Sequence, residues 1–165
     1  MLLFIDQFTD LTGRAVRWLT GLMALLTVVV VVLRYAFGEG TIALQESITY
    51  AHGLVMMLGI AYTLKQDAHV RVDLFYSRLG PRGKARINLL GHCVFLLPVA
   101  LTILWSSLPY VQASWRILEG SPEVGGIPAV FVLKTLIPLM AILLLLQGIA
   151  EILRLTIALR SDPQR

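Results

Sequence analysis

The sequence predicts an all-α membrane protein with four transmembrane helices, short amphipathic interfacial helices and both termini in the cytoplasm. Of its 165 residues, 57% are apolar and only 15% are charged, whereas soluble domains are about 45–50% apolar and about 25% charged. Four uncharged runs of 16, 18, 29 and 16 residues follow one another: Trp18–Leu33, Ser47–Leu64, Ile87–Trp115 and Thr135–Ala150. A span needs about 20 largely apolar residues, so each run, extended by its flanks, is long enough to cross a bilayer. The soluble enzyme classes are therefore excluded.

The lysine and arginine residues predict the orientation of the spans. An even number of spans puts both termini on one side, together with the loop between the second and third spans. Eleven of the fourteen Lys and Arg residues fall on that side, and three, Arg34, Arg116 and Lys134, fall on the other. Excess basic residues mark the cytoplasmic face, so we expect both termini inside. The basic residues flank apolar runs and do not form a face, so we expect no nucleic-acid partner.

The first two elements follow from local periodicity. Phe4, Phe8 and Leu11 recur at helical spacing with Asp6 and Asp10 elsewhere, which predicts an amphipathic helix in the membrane interface over about 2–14. The first span is predicted over about 17–37. Its valine run at 28–32 would favour a strand in water, but in lipid the backbone must satisfy its own hydrogen bonds within the segment.

The remaining spans are predicted at about 42–64, 87–110 and 129–153, which makes residues 1–165 a single four-helix membrane domain. Pro98, Pro109 and Pro138 lie within or near these spans and are expected to kink their helices. Between the second and third spans, Asp73 is a candidate N-cap for an interfacial helix over about 74–79, and the following Gly-Pro pair ends it.

Two charged residues inside the spans are candidates for a functional contact. Glu46 lies about one turn inside the second span, where a charge is costly and meets a partner or a polar cavity unless it extends to the outer interface. Lys134 lies one to two turns inside the fourth span, after a Gly-Gly-Ile-Pro stretch, and the simplest interpretation is that it also extends outward. We expect both at similar depth, in contact with each other, with a partner or with a lipid headgroup.

Two histidines raise the alternative of a haem-bearing membrane anchor. His52 and His92 lie about 18 Å and about 8 Å from the cytoplasmic ends of their spans at 1.5 Å per residue, an offset that does not suit two axial ligands of one iron. We therefore expect each histidine to be buried and hydrogen-bonded. The single cysteine, Cys93, excludes a disulfide and a thiolate cluster. Without a nucleotide loop, zinc spacing or Ser/His/Asp set, we expect no cofactor, no metal and no enzymatic activity.

Several short motifs resemble one known family. In chain order they are Leu33-Arg34-Tyr35-Ala36-Phe37-Gly38, Leu44-Gln45-Glu46, Leu58-Gly59-Ile60-Ala61-Tyr62-Thr63-Leu64 and His69-Val70-Arg71-Val72-Asp73. In order, spacing and four-span topology, the chain resembles the small membrane subunit, the DctQ type, of tripartite ATP-independent periplasmic (TRAP) transporters. The later stretch from Ser114 to Pro138 resembles the mannitol/chloroaromatic-type subgroup. The second span departs from the commoner Trp-x-Glu-Glu opening, and only Glu46 carries over.

The resemblance implies a non-catalytic small permease subunit of a sodium-driven symporter for an organic acid in the bacterial inner membrane. Its implied partners are the large TRAP membrane subunit, for which it is a scaffold, a periplasmic substrate-binding protein and membrane lipids. The expected partner or lipid interface comprises Arg34, Tyr35, Glu46, His69, Arg71, Asp73, Gly125, Gly126, Pro128 and Lys134. Arg71 is expected to pair with lipid phosphate or a partner carboxylate, or else to supply only generic positive charge. The alternative function is a membrane anchor of a redox complex, with or without haem.

Overall fold

The computed structural model describes residues 2–69 and 76–161, and the regular structure in these ranges is helical. Its α-helices are α1 (Leu2–Ala36), α2 (Ile42–Lys65), α3 (Pro81–Gly91), α4 (Leu97–Arg116) and α5 (Val130–Ser161). A 3-10 turn, Tyr76–Arg78, precedes α3, and a π-helical segment, His92–Leu96, joins α3 to α4. Four of the resulting helices are long and apolar enough to cross a membrane. The predicted all-α class with four candidate spans is confirmed, whereas the orientation and the interfacial helices stay predictions.

The predicted interfacial helix at the N-terminus and the first span form one continuous helix. α1 has 35 residues and is about 52 Å long at 1.5 Å per residue, well beyond a hydrocarbon core of about 30 Å. The join falls at residues 14–17, Arg14-Ala15-Val16-Arg17, which contains no helix breaker. Gly13 just before it lies against the Tyr62 ring, which a Cβ at position 13 would meet at 2.4 Å.

The third span is also longer than predicted, because α3, the π-helical segment and α4 run on without a break from Pro81 to Arg116. Pro98 has no N–H to donate to the carbonyl of Val94 and crowds it. The preceding turn is widened, with the Leu97 N–H bonding to the His92 carbonyl five residues back, and a π-turn of this kind accommodates such a mismatch. Of the predicted interfacial helix over 74–79, the described part is the single turn Tyr76–Arg78; Asp73 lies outside the described residues.

The helices form an open array in which α2 and α5 occupy the middle. α1 packs on α2, α2 on α5, and α5 on α4, while the first turns of α1 also reach α5. The buried apolar positions are dominated by small side chains, which let helix backbones approach closely; they include Ala51, Ala61, Ala100, Ala141 and Ala150. The start of α1 and the end of α5 meet at what we call the termini end, and the 117–129 loop lies at the opposite, loop end.

Candidate functional site

The 117–129 loop at the loop end folds back on itself before α5 begins. The Ser121 N–H donates to the Ile127 carbonyl at 3.2 Å, and the Phe131 N–H donates to the Glu119 carbonyl at 3.3 Å. Leu118 and Gly125 adopt the left-handed conformation, with φ of 45° and 81°, a region that glycine enters without a steric penalty. The loop is thus a defined turn whose backbone points inward at Glu46.

Both carboxylate oxygens of Glu46 bind this loop. Oε2 accepts the Ile127 N–H at 2.6 Å, and Oε1 accepts the Ser121 hydroxyl, which in turn accepts the Glu123 N–H at 3.1 Å. One hypothesis from the sequence was that Glu46 and Lys134 pair with each other. They do not, because each binds a different part of the loop: Glu46 binds Ser121 and Ile127, and Lys134 binds Glu119. A carboxylate that accepts two donors in this way makes strong, charge-assisted hydrogen bonds, and it clamps the start of α2 to the loop.

Gly126 is where this clamp requires the closest approach. A Cβ at position 126 would lie 2.3 Å from the Ser121 Oγ and 2.8 Å from the Glu46 Oε1. Only a residue without a side chain lets the carboxylate reach the backbone here. Pro128 lies against Gly120, with a Cβ at 120 meeting the Pro128 Cα at 3.4 Å. The predicted site residues Glu46, Gly126 and Pro128 therefore meet around one turn, and Gly125 supplies its positive φ.

Lys134 ties the other side of the loop to α4 and α5. Its Nζ donates to the Glu119 Oε2 at 2.5 Å and lies 4.2 Å from the centroid of the Tyr110 ring, a cation–π geometry. The hydrogen bond from Lys134 holds the pKa of the Glu119 carboxyl below its ordinary value. Beside it, the Trp115 Nε1 donates to the Thr135 hydroxyl at 2.8 Å.

The structure places the other predicted interface residues apart from the loop network. Arg34 and Tyr35 lie exposed in the last turn of α1, and 82% of Tyr35 is accessible. His69 lies exposed just after α2 at the termini end. Arg71 and Asp73 lie outside the described residues, so the His-Val-Arg-Val-Asp prediction is untested.

A second polar network, at the termini end, was missed by the sequence reasoning. The fully buried Gln147 accepts the Thr9 hydroxyl at 3.0 Å and donates to the Glu151 Oε1 at 2.9 Å. Arg154 donates to the same oxygen at 2.6 Å and, through its other guanidinium nitrogen, to Asp6. The signal was a lone amide in the apolar run of the fourth span, with Glu151 and Arg154 four and seven residues further on the same helix face.

α2 joins this second network through its last residue. The Lys65 ammonium pairs with Asp10 at 2.6 Å and donates to the Asp6 carbonyl at 3.2 Å. The acidic residues of the N-terminal segment therefore bind α2 and α5. The contacts leave its apolar side, with Phe4, Phe8 and Leu11, exposed.

The two histidines differ from each other. The Nδ1 of His92 lies 2.6 Å from the Asn88 carbonyl, and since a carbonyl only accepts, Nδ1 carries the proton. Within this chain the prediction of a buried, hydrogen-bonded histidine is wrong for His52, which is exposed on α2, because α2 packs on its neighbours through another face. Within the described ranges, no three His, Cys, Asp or Glu side chains come together as a metal-ligand group.

The comparison with known families agrees with the fold. The chain matches the model of the tripartite ATP-independent periplasmic transporters, DctQ component, over residues 23–157, which includes the second and third candidate spans in full and parts of the first and fourth. The search of curated proteins found no match. The matched family is a transporter component and not a catalytic family, and its members normally work with a large TRAP membrane subunit and a periplasmic binding protein. The subgroup suggested by residues 114–138 is not supported by this match. With most of its length matched, this chain belongs to the DctQ family, the small subunit of TRAP transporters.

Proposed function

We propose that this chain is the small permease subunit of a sodium-driven TRAP transporter that imports an organic acid across a bacterial inner membrane. In this role it scaffolds the large membrane subunit and takes no direct part in moving the substrate. A periplasmic binding protein delivers the substrate to the complex. Both termini face the cytoplasm, as the eleven-to-three division of basic residues indicates.

The observation that carries the scaffold role is the use made of the charges inside the spans. The Glu46 carboxylate accepts hydrogen bonds from Ser121 and Ile127 of the loop, and the Lys134 ammonium pairs with Glu119. A transport site presents polar groups to a substrate or ion at mid-membrane, typically from broken helices. Here the charged groups fix a loop and helix ends, which suits a rigid support.

The test is reconstitution of the complete system in proteoliposomes. With both membrane subunits, the binding protein and an inward sodium gradient, we expect organic acid uptake. Omission of any one component or of the gradient should abolish it. Full uptake by the large subunit and binding protein alone would disprove an obligate role for this chain.

Two substitutions distinguish a scaffold from a transporting subunit. Glu46→Gln removes the charge from the loop clamp, and Lys134→Met leaves Glu119 without its partner. We expect both to lower the yield of the small–large complex in mild detergent, with sodium coupling and substrate affinity unchanged in the complexes that form. Glu39→Gln and Arg116→Met, at exposed residues of the same end, are the matched controls. A changed coupling ratio in an intact complex would place this chain in the transport pathway.

The resemblance of residues 114–138 to the mannitol/chloroaromatic-type subgroup supports a narrower proposal, that the imported acid is a hydroxy- or keto-carboxylate. Substrate choice would then lie with the binding protein and the large subunit. Calorimetric titration of the partner binding protein with both classes and with unsubstituted carboxylates tests it. Preferential binding of an unsubstituted carboxylate would contradict it.

A further inference from the structure

One exposed face of α2 carries polar side chains into the middle of the span. Gln45, Thr49, His52 and Met56 are all exposed and follow one another at intervals of four, three and four residues. This spacing puts them in one stripe along the helix, which we call the α2 stripe. No described residue hydrogen-bonds to the side chains of Gln45, Thr49 or His52.

His52 makes this stripe unsuited to lipid. It is the eleventh residue of the 24-residue α2, so it lies about 15 Å from the loop end of the helix and about 20 Å from the other at 1.5 Å per residue. At that depth lipid tails offer an imidazole no hydrogen bond, and ionisable residues inside spans generally face protein or a water-filled cavity. A protein surface with a hydrogen-bonding group is therefore the partner that this face fits.

The exposed hydroxyls of α4 provide a contrast. Thr102 donates to the Pro98 carbonyl at 2.8 Å, and Ser106 donates to the Ile103 carbonyl at 3.3 Å. Both are satisfied inside their own helix, so neither hydroxyl requires a partner on the exposed face of α4, which also includes Leu101 and Trp105. The polar side chains of the α2 stripe thus require a hydrogen-bonding partner outside the chain, whereas the hydroxyls on the α4 face do not.

The shape of the surface around the α2 stripe also fits a partner helix. A groove of about 500 Å³ lies between α1 and α2 and includes Met56. A second groove of about 480 Å³ lies between α2 and the continuous helix formed by α3, the π-helical segment and α4, and Leu144 of α5 also lines it. The two share Ile60 and His69, so they flank the termini half of α2 on both sides. Apolar side chains of a packed helix can fill such grooves while a polar one meets His52.

We propose that the α2 stripe and its two flanking grooves are the docking surface for the large TRAP membrane subunit, which presents a hydrogen-bonding side chain to His52. The proposal rests on the proposed function, since it needs that subunit as the partner. It assigns the interface to α2 and leaves the outer face of α4 to lipid.

Site-specific photo-crosslinking in the intact small–large complex tests this assignment. A benzophenone amino acid is placed at 52 or 56, and at the matched positions 105 or 101 of α4. Trp105 lies eleven residues from the loop end of its helix and Leu101 fifteen, close to the depths of His52 and Met56. We expect covalent adducts with the large subunit from 52 and 56, and lipid adducts only from 105 and 101.

The outcomes separate the two proposals. If the tagged small subunit never co-purifies with the large one, the proposed function fails. If the complex forms but positions 52 and 56 give only lipid adducts, or the large subunit is captured from 105 and 101 instead, the docking proposal alone is overturned.

Substitution of His52 tests the hydrogen bond itself. We expect His52→Leu to weaken association in detergent by about threefold, the factor typical of one interhelical hydrogen bond in a membrane protein. His52→Gln, which keeps donor and acceptor atoms, should remain close to the parent, and Trp105→Leu serves as the surface control. Association of His52→Leu equal to or tighter than the parent would overturn the hydrogen bond to His52.

Discussion

Gly126 is the residue on which the loop clamp depends most directly. Gly126→Ala would put a methyl group within 2.8 Å of the Glu46 carboxylate and closer still to Ser121, so the loop must move or the hydrogen bonds must break. We expect a loss of about 1–3 kcal/mol, the usual cost of overpacking, measured as the denaturation midpoint of the purified protein in detergent. Gly40→Ala, in the other loop-end connection and with open space around it, is the control and should be neutral. Equal midpoints for the two variants would contradict the clamp.

The Lys134–Glu119 pair sets the behaviour of the same loop in acid. The hydrogen bond from Lys134 lowers the folded-state pKa of Glu119, so the pair's stabilisation is complete above the ordinary carboxyl pKa. It is lost as the pH falls through the lower folded-state pKa. We therefore expect the loop to stay closed at neutral and mildly acidic pH and to open only in stronger acid.

Trp115 reports this opening because it donates to Thr135 beside the pair. In a Trp18→Phe, Trp105→Phe background, its emission should shift to the red on acidification. Lys134→Met removes the pair at every pH, so its emission should be red-shifted already at neutral pH, and the emission of Arg116→Met should not be. An unchanged transition in Lys134→Met would show that the pair does not hold the loop.

For single residues, the sequence indicates which ones are important, but it does not show what they contact. Glu46 and Lys134 are conspicuous because charge inside a span is costly. Their partners lie 75 and 15 residues away in Ser121 and Glu119, and only the folded loop brings them together. The burial of His52 within the chain was predicted wrongly because a histidine's burial depends on which helix face packs. The polar residues of α2 lie on several of its faces, so its sequence carries little signal of that choice.

At the scale of elements, the N-terminal segment of α1 is held by ion pairs as well as by apolar contact. Arg154→Met would leave Asp6 and Glu151 without their shared cation. Their side chains are 22% and 18% exposed, with Arg154 at 33%. This places the loss between that of exposed pairs, about 0–1 kcal/mol, and buried pairs, about 3–5 kcal/mol. We expect about 1–3 kcal/mol.

Hydrogen exchange measures this directly at the start of α1. In Arg154→Met we expect faster exchange of the amides in residues 5–12, while the amides of α4 stay as protected as in the parent. Arg160→Met, at an exposed arginine of the same helix, should leave both regions unchanged. Parent-like protection of residues 5–12 in Arg154→Met would mean that apolar packing alone holds the segment.

The elements were predictable to the extent that hydropathy determines them. All four spans were predicted because, in lipid, an uncharged run of this length satisfies its backbone hydrogen bonds by forming a helix. The predicted ends are too short, since α1, the third span and α5 continue past the apolar runs into charged residues such as Asp10 and Arg154. Asp10 pairs with Lys65 of α2 and Arg154 with Asp6 of α1, and the local sequence pattern does not contain these tertiary contacts.

At the scale of the whole molecule, the array is held at its two ends and open along its faces. The hydrogen bonds of Glu46 join α2 to the loop before α5. At the other end, the Gln147 network joins α1 to the end of α5, and Lys65 of α2 binds the same segment of α1. Between these ends α1 and α4 expose long apolar surfaces. A small subunit built in this way presents a fixed outline to lipid on some faces and to a larger partner on others.

The charge distribution and the fold together predict the orientation of the chain in the membrane. The Asp6–Arg154 pair brings the start of α1 and the end of α5 to one end, the end that also carries most of the basic residues. Reporter fusions at residues 40 and 122 should therefore be active only with a periplasmic reporter, and fusions at 80 and 165 only with a cytoplasmic one. The first reporter is fused at residue 40, after the end of α1, so that Arg34 stays in the fusion protein. In a separate variant, substitution of Arg14 and Arg17 by Gln tests whether these two charges orient the first span. Reversed signals at any two of the four sites would mean that the loop end, with Glu46 and Lys134, faces the cytoplasm.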